Sequence, residues 1–366
     1  MDFEFSPDAL MLRDMLRRFV EDEAKPMEMK FFSTRALEDN ERARLRTVIE
    51  QMGLWGITVP EKFGGGGLDL VTACLLHEEL GKTFLPIDLG DVPPMLYACQ
   101  GDQIEKFLKP TLAGKRHPYL AACEPNAFKP EDWKTTATPQ DQVYVLDGKK
   151  TLFAVPSAQD FLIVLAKAPA GIGAFIVEPN QGGVRIVENG GVTLHLEGCQ
   201  AEAKSLLGEC GQALRLGSDE APGSCIQLGA RYIGLAQRLL DMSIEYAKSW
   251  TALGALLMER RAIQNMLAEM QVQIESARWL VYHAAWLADK EGPSYLAAAE
   301  VRLSTGEMLR RVTDLATLVY GGPGPSQEFD INRYLCSTVP PQALELGLEC
   351  ARTTIAASLL AVSEGG

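Results

Sequence analysis

The sequence has little histidine, no closely spaced cysteine pair and no long apolar run, and each absence excludes a class of protein. Its 366 residues include four His and eight Cys, and no two cysteines have the C-x-x-C spacing of zinc or redox sites. We therefore expect no metal site, and we expect free thiols in a reducing cytoplasm. Every apolar stretch falls short of the ~18 residues that a membrane-spanning helix needs, so we expect no membrane span.

The charge balance is acidic. Lys and Arg number 35 against 48 Asp and Glu, which gives a formal net charge of -13. This charge argues against nucleic acid and against anionic membrane surfaces as partners. The N-terminal text MDFEFSPDAL has neither the basic region nor the apolar core of a secretory signal. A hydrophobic content of 47% is enough for two or three domains with their own cores.

A continuous apolar stripe marks the C-terminal part of the chain as helical. Over residues 261–289, apolar or small side chains recur in steps of three and four, as on one face of a long α-helix. They are Ile263, Leu267, Met270, Ile274, Ala277, Val281, Ala284 and Ala288. A similar seam runs through residues 224–250, and the two helices must bury their seams together. With two more helical runs, at residues 295–320 and 341–362, the pattern predicts a four-helix bundle.

The first part of the chain is also predicted to be helical. Ser6-Pro7-Asp8 opens a helix, because Ser caps it, Pro suits its first position and Asp favours its first turn. Two more helices are predicted at residues 38–52 and 71–81. The run of four glycines that begins at Gly64 must form a loop between them. We place the end of this N-terminal helical domain at residue 117.

The middle of the chain changes to the two-residue period of β-strands. Short apolar runs lie at residues 143–146, 161–166, 174–177, 184–187 and 192–196, separated by Gly, Pro and Asn. Asp147-Gly148 predicts a hairpin turn after the first run. These features predict a small β-barrel or sandwich over residues 118–217. The helical bundle then occupies residues 218–366.

Three motifs resemble the acyl-CoA dehydrogenase family. They are Tyr246-Ala247-x-x-Trp250-x-x-Leu253-Gly254, Gln264-x-x-Leu267-Ala268-Glu269-Met270, and the Pro60-Glu61 loop with its glycines. The family text has Arg and Phe where this chain has Trp250 and Leu253, at the same spacing. The resemblance covers nearly the whole chain and implies the family's fold, which is mainly α with a β middle domain. It also implies FAD-dependent α,β-dehydrogenation of an acyl-CoA thioester.

The resemblance implies one candidate catalytic base. In the family a Glu takes the α-proton of the thioester, and counting along the motif places this residue at Glu345, between two leucines. Apolar neighbours suit a carboxylate that works as a base, because they raise its pKa. The alternative interpretation makes Glu345 a solvated helix residue. Some relatives place the base on the first bundle helix, where the nearest carboxylates here are Asp241 and Glu245.

Most of the residues that contact the flavin in the family are replaced in this chain. On the β-domain side, Thr is replaced by Cys123, Gly-Ser by Phe128-Lys129, the Trp that packs on the flavin by Leu152, and the Thr near N5 by Ala154. On the side that the dimer mate supplies, Arg, Phe and Gln are replaced by Trp250, Leu253 and Leu318. The candidate cofactor-binding residues that remain are Gly321, Gly322 and Gly324.

These replacements lead to one favoured hypothesis and two alternatives. The favoured hypothesis is a subunit that works beside a flavin-competent partner chain in an α2β2 acyl-CoA dehydrogenase, on a bulky acyl group such as a steroid side chain. The first alternative is a homomeric FAD enzyme with Glu345 as its base. The second is a CoA-ester-binding or scaffolding protein without redox activity. Large apolar residues crowd the loop between the first two bundle helices, namely Trp250, Leu253, Leu256 and Leu257, and predict a dimer or tetramer interface.

Overall fold

A computed structural model describes residues 4–34, 37–125, 127, 130–152, 154–188, 191–216, 221–322 and 341–361. The chain divides into two compact units. The first comprises residues 1–60, 65–89 and 222–366, and the second comprises residues 61–64 and 90–221. The predicted fold class is confirmed: the N- and C-terminal parts are helical and the central part is a β-sheet.

The N-terminal helices of the first unit are α1 (Pro7–Phe19), α2 (Glu28–Thr34), α3 (Asp39–Gln51) and α4 (Leu70–Leu80). Three of these four helices begin within one residue of the predicted position, and the other, α2, was not predicted. The Ser6 hydroxyl accepts a hydrogen bond from the Ala9 amide at 3.1 Å and so caps α1, as Ser at this position does. Glu38 caps α3 in a reciprocal capping box with Glu41, which satisfies amides that the helix leaves unpaired.

Four long helices form the C-terminal part of the first unit. They are α6 (Ala221–Ser249), α7 (Arg261–Glu291), α8 (Tyr295–Tyr320) and α9 (Pro341–Ala361). The predicted seam of α7 is buried, with Met270, Ile274 and Val281 fully enclosed. These side chains share one apolar core with residues of α6 and α8. The burial of three apolar faces in one core explains why these helices are stable, since helix propensity alone contributes little.

Helix α7 also holds the beginning of α4. The Asp289 carboxylate accepts hydrogen bonds from the amides of Leu70 at 2.8 Å and Val71 at 3.0 Å. Asp69 accepts from the Thr72 amide at 2.9 Å and caps the same helix. Two carboxylates at one helix N-terminus satisfy three of its four unpaired amides and match the positive end of the helix dipole.

The second unit contains a short helix, α5 (Lys109–Leu112), and a β-sheet. The strands are β1 (Pro118–Ala121), β2 (Thr136–Gln140), β3 (Val143–Leu152), β4 (Phe161–Ala168), β5 (Gly171–Val177), β6 (Val184–Glu188), β7 (Val192–Glu202) and β8 (Leu206–Leu207). Their order in the sheet is β6-β7-β3-β2-β4-β5-β8, and β1 pairs with β4 in parallel. Inward-facing side chains such as Leu146, Leu162 and Phe175 are fully buried and form the core of this unit.

The predicted hairpin turn at Asp147-Gly148 is wrong. Strand β3 continues through this dipeptide to Leu152, and its pairing with β7 changes register there. The Asp147 carboxylate accepts a hydrogen bond from the Gly198 amide at 2.7 Å, and Gly148 has a φ of 149°. Asp-Gly therefore forms a β-bulge, which needs the same backbone freedom as a turn. The hairpin turn lies between β2 and β3, at Asp141, whose φ is 51°.

Two general features of the described residues bear on function. Within the described ranges, no helix is long and apolar enough to cross a membrane. The same part of the chain has no group of three or more His, Cys, Asp or Glu side chains arranged to hold a metal ion.

Candidate functional site

The second unit carries a buried ion pair next to the positions that match the family's flavin motifs. The Lys150 side chain on β3 is fully buried, and its ammonium group donates to the Glu124 carboxylate at 2.9 Å and to the Ala122 carbonyl at 3.0 Å. The Lys150 ammonium also lies 4.1 Å from the centre of the Trp133 ring. These contacts fix the loop after β1 against the end of β3.

Backbone amides complete the coordination of Glu124. Its carboxylate accepts hydrogen bonds from the amides of Lys134 at 2.7 Å and Thr135 at 2.9 Å. Burial by itself raises the pKa of the Glu124 carboxyl, but the bonds from Lys134, Thr135 and Lys150 outweigh burial and lower the pKa to about 2. Burial lowers the pKa of the Lys150 ammonium, and the Glu124 charge opposes this effect. Glu124 therefore remains ionised at neutral pH.

The residues at the flavin-contact positions of this unit do not suit a flavin. Leu152 ends β3 with its side chain inside the sheet core, and only 3% of its surface is exposed. Ala154 is exposed and has no hydroxyl, and the Cys123 carbonyl is occupied by the Thr151 amide at 2.9 Å. The remaining motif residues, Asn126, Phe128, Lys129 and Phe153, lie outside the described residues. The described positions offer neither an aromatic surface nor a polar side chain to the isoalloxazine edge.

The glycines at the end of α8 form an open helix terminus. Gly321 has a φ of 66°, and its amide bonds to the carbonyls of Thr317 and Leu318 at 3.0 and 3.1 Å. Among the described residues, no atom lies within 4 Å of a Cβ atom added at Gly321 or Gly322, and both glycines are exposed. The backbone here is accessible to another molecule, although the conformation is also that of an ordinary glycine C-cap. Gly324 lies outside the described residues.

The candidate carboxylates for the base lie on two helices of the bundle. Glu345 lies on α9, and its side chain is outside the described part of the chain. Asp241 is exposed on α6 and accepts a hydrogen bond from Gln237 at 3.0 Å. Glu245 is exposed on the same helix. Asp241 and Glu245 therefore face solvent, whereas a carboxylate base of this kind works in an apolar pocket.

The loop between α6 and α7 presents large apolar side chains to solvent. Two short strands, β9 (Thr251–Ala252) and β10 (Ala255–Leu256), pair through a two-residue turn at Leu253-Gly254. Leu253 has a φ of 50° and is 97% exposed. A bulky residue in this left-handed conformation is strained, and strain of this kind is concentrated at functional segments.

An aromatic stack supports the base of this loop. Trp250 stacks on Tyr246 with the ring centres 5.4 Å apart, and Tyr246 stacks on Tyr320 at 4.1 Å. Tyr246 and Tyr320 are buried in the bundle, whereas Trp250 is 45% exposed. The stack joins the end of α6 to the end of α8, so the loop and the glycines of α8 belong to one end of the bundle.

Sequence reasoning identified the segments of the site but missed the ion pair. It named Cys123, next to Glu124, and Leu152, two residues after Lys150, and did not predict that Glu124 and Lys150 pair. The available signal was a lysine at an inward-facing strand position, since Lys150 alternates with the exposed Lys149 along β3. An inward-facing lysine needs a buried carboxylate partner.

Two family models match the chain. The acyl-CoA dehydrogenase N-terminal domain matches residues 6–115, and the acyl-CoA dehydrogenase C-terminal domain matches residues 223–360. The chain is 28% identical to (R)-benzylsuccinyl-CoA dehydrogenase of Thauera aromatica, over 98% of this chain and 97% of the relative. It is 30% identical to the short-chain specific acyl-CoA dehydrogenase of Megasphaera elsdenii, over 78% of this chain and 81% of the relative. The structure of butyryl-CoA dehydrogenase from Megasphaera elsdenii superposes with a TM-score of 0.81 at 25% identity, covering 98% of this chain and all of the other.

Proposed function

The chain belongs to the acyl-CoA dehydrogenase family, whose members are FAD-dependent oxidoreductases acting on CH-CH bonds, and we propose that it works as one subunit of a heteromeric enzyme. A second, flavin-competent chain holds most of the FAD, in an α2β2 complex. The reaction is α,β-dehydrogenation of an acyl-CoA thioester. When it is bound, FAD supplies the hydride acceptor for this reaction.

The observation that carries this proposal is the chemistry at the end of β3. Leu152 is buried in the sheet core and Ala154 lacks a hydroxyl, at the positions where the family has an aromatic ring and a hydrogen-bond donor. Each hydrogen bond lost from a buried polar flavin edge costs about 1–3 kcal/mol. Several such losses weaken flavin binding by orders of magnitude. In the proposed enzyme, this unit therefore does not hold the flavin.

Two features at the end of the bundle support a role beside a partner chain. Gly321 and Gly322 leave the backbone open, so this end can approach a nucleotide bound to another subunit. Trp250 and Leu253 expose large apolar surfaces on the adjacent loop. Exposed aromatic and aliphatic groups of this size are typical of an interface centre. We propose that this loop and Gly321, Gly322 and Gly324 complete the flavin pocket of the partner.

The substrate is proposed to be a bulky acyl-CoA, and a steroid side chain is one example of such an acyl group. The relative from Thauera aromatica is (R)-benzylsuccinyl-CoA dehydrogenase, and a benzylsuccinyl group is bulky. We further propose that the protein acts in the cytoplasm, because its thiols suit a reducing compartment.

The two alternatives differ from this proposal in what the chain does alone. A homomeric enzyme would hold stoichiometric FAD and would depend on Glu345 as its base. A CoA-ester-binding or scaffolding protein would bind no flavin with any partner. Glu345 is thus the residue on which the homomeric alternative depends. Its matched control is Glu349 on the same helix, which is exposed and paired with Arg352.

The experiment that separates these functions measures turnover with and without the partner. The chain is expressed alone and together with a flavin-competent acyl-CoA dehydrogenase chain encoded nearby. Acyl-CoA oxidation is then assayed with an artificial electron acceptor. We expect activity only from the joint preparation. Activity of the chain alone with FAD, abolished in Glu345→Gln and retained in Glu349→Gln, would show that the homomeric alternative is right.

A further inference from the structure

The first unit contains a cavity that the proposed dehydrogenase function does not use. The cavity has a volume of about 400 Å³ and lies between α1, α4 and α7. Sites for small molecules in proteins have volumes of about 300–1,000 Å³ and combine apolar walls with a few polar groups. This cavity has both features, since aromatic and charged side chains line it.

One wall is an aromatic stripe on α7. Trp279, Tyr282 and Trp286 line the cavity at steps of three and four residues, so they share one face of the helix. This face is distinct from the one that Ile274, Ala277 and Val281 bury in the bundle. Trp279 is 56% exposed. Helix α7 therefore packs one face into the core of the bundle and lines the cavity with a second, aromatic face.

The end of the cavity between α1 and α4 is cationic. Arg17 and Lys82 share a single carboxylate, Glu79, at 2.7 and 2.9 Å. The Glu79 side chain is only 4% exposed, and hydrogen bonds from Arg17 and Lys82 lower the pKa of its carboxyl despite the opposing effect of burial. Arg17 also pairs with Asp14 at 3.7 Å, and Asp14 pairs in turn with Arg13, which lines the cavity as well. Three cations against two carboxylates leave this cluster with one net positive charge. The Lys82 side chain is 19% exposed, and an ammonium group has three donors, so it keeps donor capacity toward the cavity.

Two other carboxylates that line the cavity, Glu78 and Glu275, are already engaged. Glu78 accepts a hydrogen bond from the Tyr282 hydroxyl at 2.9 Å and forms an ion pair with Arg278 at 3.0 Å. Arg278 also pairs with Glu275. Donor capacity therefore remains at Lys82, whereas the carboxylates of Glu78 and Glu275 have partners. This difference favours a ligand with an anionic group that accepts hydrogen bonds.

We propose that this cavity binds a small aromatic carboxylate, with its carboxylate on Lys82 and Arg17 and its ring against Trp279. A flat ring suits an indole face better than a branched aliphatic group does, because stacking adds to the burial of area. The anion neutralises the half-buried positive cluster, where a charge-assisted hydrogen bond is stronger than in water. The site lies within the first unit, and its ligand does not depend on a bound flavin.

Calorimetric titration of the full chain with 2-naphthoate tests this proposal. We expect one site per chain, and at least tenfold weaker binding of 2-naphthalenemethanol, which has the same ring without the charge. Lys82→Gln should weaken 2-naphthoate binding at least tenfold, and Lys82→Arg should restore it. The matched control is Lys109→Gln, which removes an exposed lysine from an i,i+4 pair with Glu105 elsewhere and should change nothing.

A second variant keeps the test independent of folding. Trp279→Ala removes a mostly exposed side chain, should leave the melting temperature nearly unchanged, and should weaken 2-naphthoate binding at least fivefold. The proposal is overturned if 2-naphthoate does not bind at millimolar concentration. It is also overturned if neither substitution changes the affinity, or if butyryl-CoA displaces the ligand, since displacement would assign 2-naphthoate to the acyl site. None of these results depends on flavin content or turnover, so they leave the proposed dehydrogenase function unaffected.

Discussion

Gly81 and Gly234 bring helices α4 and α6 into direct backbone contact. A Cβ atom added at Gly81 would lie 2.9 Å from the Gly234 Cα and would overlap the Arg231 carbonyl oxygen. A Cβ atom added at Gly234 would overlap the Glu78 carbonyl oxygen. Because the atoms in the way are backbone, no change of rotamer can relieve the overlap. The contact joins the N-terminal helices to the bundle within the first unit.

We expect Gly234→Ala to destabilise the protein by about 1–3 kcal/mol, the usual cost of overpacking. Gly223→Ala on the same helix is the control, because its added Cβ would lie 3.7 Å from the nearest atom, on Leu70. Both changes raise helix propensity, and the gain is larger at residue 234 in the helix interior than at residue 223 in the first turn. Lower stability of Gly234→Ala than of Gly223→Ala therefore reports the clash. Urea unfolding measures both, and equal stability of the two variants would show that α4 and α6 do not touch at these glycines.

The buried pair of Glu124 and Lys150 gives a second prediction. Lys150→Met leaves the Glu124 charge buried without its cation, and breaking a buried pair in this way costs about 3–5 kcal/mol. Lys149→Met, at the exposed neighbouring position on β3, should change stability by less than about 0.5 kcal/mol. Adding Glu124→Gln to Lys150→Met should recover part of the loss, because it removes the orphaned charge. If the double variant is as unstable as the sum of the single variants, the two side chains do not interact.

The same pair predicts how stability changes with acid. The folded-state pKa of Glu124, about 2, lies below its ordinary value of 4.5. The unfolded chain therefore binds this proton first as the pH falls. The stabilisation is complete above about pH 5 and is lost between pH 4.5 and pH 2, by up to about 1.4 kcal/mol per pH unit. The unfolding free energy of Glu124→Gln should fall less steeply over this range than that of the unchanged protein, and parallel curves would refute the assignment.

The strained turn at Leu253 gives a prediction about assembly. Asn tolerates a positive φ better than Leu does, so Leu253→Asn should keep or slightly raise the melting temperature of the chain. If Leu253 packs into a partner, the same change should weaken association at least tenfold. Met11→Ser, which removes another exposed apolar side chain at 62% exposure, should leave association unchanged. Sedimentation of the chain with its partner measures both variants, and normal assembly by Leu253→Asn would remove the loop from the interface.

The helices could be predicted from the sequence because their signals are local. The stripe from Ile263 to Ala288 and the cap at Ser6 depend on residues only a few positions apart, and both predictions agree with the structure. The dipeptide Asp147-Gly148 shows where a local signal misleads. Asp-Gly indicates an unusual backbone conformation, which both a bulge and a turn require. The pairing of β3 with β7 determines that a bulge forms here.

The contacts that arise between distant segments could not be predicted. Glu124 and Lys150 are 26 positions apart. Gly81 and Gly234 are even more distant in sequence and meet only in the folded protein. From the sequence, a glycine within a helical pattern indicates only lower helix propensity. Its role in close packing depends on a neighbouring helix that the local sequence does not identify. The cationic cluster at Glu79 was missed for the same reason, since its Arg17 comes from another helix. The predicted role of Glu345 and the predicted domain boundaries at residues 117 and 217 stay predictions.

The flavin content of the purified protein tests the central proposal most directly. The chain is purified alone and in complex with its flavin-competent partner, and the flavin released by acid is measured against protein concentration. We expect the chain alone to be colourless and an α2β2 complex to carry about two flavins rather than four, because in the proposed arrangement the partner's pocket supplies the polar and aromatic contacts that hold the cofactor. One FAD per chain in the protein purified alone, with turnover that Glu345→Gln abolishes, would contradict this account.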